Sequence, residues 1–163
     1  MGDDDSLFDR ARRAVGGPTP AERAASLDDR AADDPASLSA ADVDELIELL
    51  DADDPDVVGD ALGAVESLAG NRPELADPVV PTVVAWLSER PASEWTGTTL
   101  GDASRSFMND LLRGSVLLSL AQARPEALNP VVDELAARYT ENTLEPMAVF
   151  AFAYTVATHP ERT

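Results

Sequence analysis

The sequence predicts an all-α fold: a short stack of about three antiparallel helix pairs, preceded by an N-terminal helical extension. Three observations carry this expectation. Ala, Leu, Glu and Arg are plentiful and strand-favouring residues are sparse. Apolar residues recur at i, i+3, i+4 and i+7, as in Val43, Leu46, Ile47 and Leu50. One stretch of about twenty residues occurs twice. At 163 residues and 44% hydrophobic content the chain is one domain's worth, able to bury roughly 70% of its unfolded surface.

The elements follow in order. Residues 1–35 read as two short helices that dock loosely on the rest. "SLFDRARRAV" runs up to the Gly16-Gly17-Pro18 break, and Thr19-Pro20-Ala21-Glu22 is a capping box with proline at the first helical position. Ser39 then caps a helix over 39–50, and the acidic turn "DADDP" leads into a helix over 56–70. In that second helix Val57, Ala61, Val65, Leu68 and Ala69 form the buried stripe, and Asp54 or Asp56 is the cap.

"SLAGNRPELADPVVPTVVAWL" from Ser67 matches "SLAQARPEALNPVVDELAARY" from Ser119, an offset of 52. Both copies carry Arg-Pro-Glu in the turn, then Asp77-Pro78 or Asn129-Pro130 as the expected cap of the next helix. A weaker third copy, "YTVATHPE", begins at Tyr154. The predicted pairs are 39–50 with 56–70, 78–90 with 104–123, and 130–141 with 144–158. Residues 36–163 thus form the repeat domain, with a loop at 91–103 inserted in the middle pair. No pair can bury its apolar face alone, so each must stack on the next.

The stretch "LLDADDPDVVGDALGAVESLAG" resembles the HEAT-repeat pattern: a helix ending Leu-Leu, an acidic turn with proline, then Val and a helix closing on a Leu-Ala step. The resemblance covers about residues 39–158. It implies an armadillo-like α-solenoid that binds proteins, occasionally nucleic acid, and no particular reaction. The family's second helix carries an arginine just after the turn; here that place is Val58 or Gly59, so the family's charge ladder is not carried over.

Composition narrows the function classes. There are 19 Asp, 12 Glu, 12 Arg and no Lys, giving a formal net charge of -19. This balance resembles that of proteins from salt-accumulating extreme halophiles, whose acidic surface keeps them solvated in concentrated salt. It disfavours nucleic acid as a partner, because phosphate binding needs clustered cations and Arg10, Arg12 and Arg13 are the one cluster. Without cysteine there is no disulfide framework, thiolate nucleophile or Cys-zinc site. "MGDDDS" is neither basic nor apolar, and its match to an acylation pattern is read as chance. The longest uncharged run near the C-terminus is about 13 residues, too short for a bilayer. The expectation is a cytoplasmic protein with no membrane partner.

No catalytic, cofactor or metal site is predicted. A calcium loop started at Asp51 would need an oxygen at Pro55, glycine at Asp56 and glutamate at Leu62, and fails at all three. His159, the one histidine, stands where Arg72 and Arg124 precede proline, and reads as a helix C-terminal cap. The candidate partner-binding residues are aromatic. Trp95 lies in the inserted loop, where it either covers the middle pair or anchors a partner.

The second candidate comes from the run Met147–Ala157, which has no charge. Met147, Phe150 and Tyr154 form one stripe at the places of Asp60, Gly63 and Ser67, whereas Phe152 aligns with core Val65. A terminal repeat normally turns a polar face to water. The stripe therefore either lies under another part of the chain or meets a protein partner or a second copy. The functional expectation is a non-enzymatic scaffold or adaptor. The alternative is a small ligand-binding or lyase-like HEAT enzyme with a carboxylate-lined groove.

Overall fold

The computed structural model describes residues 17–87, 90–91, 93–94 and 103–158, and every regular element among them is helical. The helices are α1 (Pro20–Asp33), α2 (Ala40–Leu50), α3 (Pro55–Asn71), α4 (Pro73–Ala76), α5 (Val80–Ala85), α6 (Arg105–Ala123), α7 (Val132–Thr140) and α8 (Pro146–Thr158). Short 3-10 turns at Pro35–Ser37, Asp77–Val79 and Pro125–Val131 join them. The expected helix at 6–15, Trp95 with most of the inserted loop, and His159 lie outside the described residues.

The helix starts follow from local chemistry. The Thr19 hydroxyl accepts from the Glu22 N–H while the Glu22 carboxylate accepts from the Thr19 N–H. Ser39 and Asp42 repeat this reciprocal cap on α2, and Asp54 accepts from the Asp56 N–H on α3. Asp77 and Asn129 do not cap. Proline at Pro73 and Pro125 has already opened the helical turns four residues earlier, so Asp77 has helical dihedrals (φ -48°, ψ -45°) and no capping bond. The first helix of the middle pair accordingly begins at Pro73 rather than 78, and its last regular stretch closes at Ala85.

The four longest helices pack in chain order, α1 on α3, α3 on α6 and α6 on α8, and the shorter helices join the same core. One apolar cluster runs from Ala24 to Ala151. α1 is seated more deeply than its alanine-rich face suggests, with Ala24, Leu27 and Ala31 all buried. The small residues let it come close. A Cβ on Gly63 would meet the Asp28 carboxylate at 2.6 Å, and the Ser67 hydroxyl donates to the Ala31 carbonyl at 2.8 Å.

Arginines tie successive elements. Arg105 lies over Gly59 and pairs with Asp56 and Asp60, so α6 supplies a cation where α3 has none of its own. Arg72 and Arg124 do not cap their own helices' ends with their side chains. Each reaches back instead, Arg72 donating to the Ala36 and Leu38 carbonyls and Arg124 pairing with Asp77 at 2.9 Å.

Candidate functional site

α8 is apolar all round because it has three different apolar sides. At about 100° per residue these are about 100° to 160° apart. Ala148, Ala151 and Thr155 form the buried side. Val149, Phe152 and Val156 face a groove shared with Val132, Ala136 and Tyr139 of α7, with a volume of about 490 Å³. Met147, Phe150 and Tyr154 form the third side. Met147 is half-buried, while Phe150 is 61% and Tyr154 42% exposed.

The predicted stripe and the groove are therefore different surfaces. In α3 and α6 the aligned positions face the preceding long helix, as Gly63 and Ser67 do toward α1 and as Ser115 does in donating to Glu66. Small residues permit that approach. On α8 the same positions hold Phe150 and Tyr154, which stay in water while Ala148 and Ala151 make the close contact. Phe152, aligned with fully buried Val65, is half-buried in the groove and packs on Tyr139 with ring centroids 5.5 Å apart.

Two local devices set the groove's shape. The chain turns from α7 to α8 through Asn142, which takes φ 58°. The Thr143 N–H then donates to the Arg138 carbonyl and the Asn142 N–H to the Tyr139 carbonyl, a Schellman closure. α8 begins at Glu145, whose carboxylate accepts from the Met147 and Ala148 N–H groups. That carboxyl is buried against Gly114 of α6. Burial pushes it up to about 7; the two N–H bonds pull the other way and nearby Asp110 adds to the rise.

A second, polar cavity of about 240 Å³ opens between the α2–α3 turn, Trp86 and α6. Asn109, Asp110 and Arg113 line it and are all buried. Asp110 holds two guanidiniums, Arg113 at 3.0 Å and Arg90 at 3.0 Å, and Arg90 stacks on Phe107 at 5.4 Å. Burial lowers the Arg113 pKa against the opposing pull of Asp110. The i, i+3 spacing of Asp110 and Arg113 is visible in the sequence; their burial is not. Trp86, half exposed at this cavity, also escaped the sequence reading.

No helix among the described residues is long and apolar enough to cross a membrane. Comparison of the chain with protein-family models, with curated proteins and with solved structures gives no match.

Proposed function

We propose that this chain is a non-enzymatic, HEAT-like α-solenoid that acts as a scaffold or adaptor, binding protein through the end formed by α7 and α8. The observation that carries this reading is the apolar groove. Asp133 is the one charged residue among those lining it, on a chain whose net charge is -19. Every other long helix has a following helix laid against it, and α8 has none among the described residues. Uncovered apolar surface of this kind marks an interaction site, and a partner helix is the shape that would continue the stack. The exposed Phe150 and Tyr154 extend the same helix's apolar surface around its flank.

Nucleic acid fits less well, because each described arginine is already paired with an acid. The lyase-like alternative needs a carboxyl free to move protons. Glu145, the acid pushed to about 7, is committed to capping α8.

The test is assembly at high salt. Light scattering of the native chain is compared with Val156→Asp, which charges the groove, and Phe150→Asp, which charges the flank. The native chain is expected to form a complex, with itself or with a partner purified on it, that Val156→Asp weakens at least tenfold. Far-UV circular dichroism should show both variants helical. Complexes that survive both substitutions unchanged would remove the end-face reading.

A further inference from the structure

We infer that residues 6–15 of a second copy of this chain dock in the α7–α8 groove as an amphipathic helix, joining copies head to tail. This rests on the groove being a binding surface, as proposed above, and names its occupant.

The segment has a shape that fits the groove. On the helix that the sequence predicts for "SLFDRARRAV", Leu7, Phe8, Ala11, Ala14 and Val15 share one face about 120° wide. Arg10 and Arg12 fall on its two flanks, each about 100° from the middle of that face. From Leu7 to Val15 such a helix is about 12 Å long. The groove runs from Val149 to Val156 along α8 and from Val132 to Tyr139 along α7, about 10 Å on either helix. Its volume of about 490 Å³ leaves room for large apolar side chains such as those of Leu7 and Phe8. A helix laid by its apolar face into such a groove is a recurring mode of recognition.

Charge favours the same pairing. The chain has 31 acids, and Arg10, Arg12 and Arg13 are its one cluster of cations. Asp133, the groove's one charged lining residue, and Glu141, at the end of α7, are both exposed and have no ion pair among the described residues. Two copies of so acidic a chain repel one another over most of their surface. The basic flanks of this segment against that acidic rim attract instead, which sets where the copies meet.

Reach selects a second copy over the segment's own chain. α1 and α8 stand at the two ends of the packing order, with α3 and α6 between them. At about 8–10 Å between packed helix axes, three steps separate them by about 25 Å. The link from Val15 to Pro20, where α1 begins, spans at most about 18 Å. The segment therefore cannot lie along α8 of its own chain.

Complementation between two variants of this chain is the test. Phe8→Asp spoils the segment and leaves the groove, whereas Val156→Asp spoils the groove and leaves the segment. By light scattering in about 1 M KCl, where exposed charges are screened within about 3 Å, the native chain is expected to self-associate. Each variant alone should do so at least about tenfold more weakly. An equal mixture should regain one interface at native affinity and stop at a 1:1 dimer, because a head-to-tail contact joins two different surfaces. Should Val156→Asp fail to fold by circular dichroism, Ala153→Glu at an exposed position of the same groove replaces it. A Phe8→Asp chain that associates as the native chain does would mean that grooves meet each other, and would overturn the inference. So would a mixture that stays monomeric, or a native chain that is monomeric at every concentration. None of these removes the groove as a binding surface, which falls only if Val156→Asp also leaves binding of a purified partner unchanged.

Discussion

The carboxyl of Glu145 rests on the Cα of Gly114, in the space that any side chain on α6 would need. One residue thereby does two jobs, capping α8 and fixing its distance from α6. Gly114→Ala must push the carboxyl off the Met147 and Ala148 N–H groups. Against a gain of up to about 1 kcal/mol from helix propensity, the clash and lost cap should leave the variant about 1–2 kcal/mol less stable. In a Glu145→Ala background the same substitution should be neutral or stabilising. Urea denaturation of the four chains in this cycle measures the coupling, and additive effects would mean that the two residues do not share this space.

Glu145 also gives stability a pH dependence of known sign. Its carboxyl titrates near 7 in the folded chain against 4.5 as the ordinary value, so folding holds a proton that the unfolded chain has released. Its contribution is complete below about pH 4.5 and is lost as pH rises through 7. At about 1.4 kcal/mol per unit this is on the order of 3 kcal/mol. Glu145→Gln keeps an oxygen for the cap and cannot ionise. It should be more stable than the native chain at pH 8, with the difference vanishing near pH 4.5; parallel curves would refute the assignment.

Asn142 holds the turn between α7 and α8 at φ 58°, a conformation that costs most side chains about 1–2 kcal/mol. Asn142→Ala should therefore lower stability by about 1 kcal/mol, whereas Asn142→Gly should match or exceed the native chain. Thermal melts of the two variants distinguish this from a general intolerance to substitution.

A net charge of -19 on 163 residues predicts self-repulsion that salt relieves. The Debye length falls from about 10 Å at 0.1 M to about 3 Å at 1 M. The melting temperature should rise as KCl is added over this range. A flat or falling curve would show that the ion pairs lost to screening, such as Arg105 with Asp56, outweigh the repulsion.

The helices were legible because their signals are local. Ser39 with Asp42, and Asp54 with Asp56, mark helix starts within four residues of sequence. Asp77 misled for the same reason. An acid before proline looks like a cap, and only the earlier proline at 73 shows that the turn is already helical. The apolar run of α8 was plain in the sequence, but its groove was not. Val149 and Val156 are ordinary residues, and their partial exposure depends on no later helix among the described residues being laid on them. Arg105 filling the space over Gly59 was equally hidden, since it joins residues 46 positions apart.

The backward reach of Arg72 and Arg124 gives these contacts a direction along the chain. Each earlier turn is latched by a later arginine, so loss of Arg124 would leave the half-buried Asp77 without its cation, while loss of the earlier turn would strand an arginine in water at little cost. At the next step the latch plate changes: Asn129 replaces the acid, and its Oδ1 has no partner among the described residues. A neutral amide there asks for no cation.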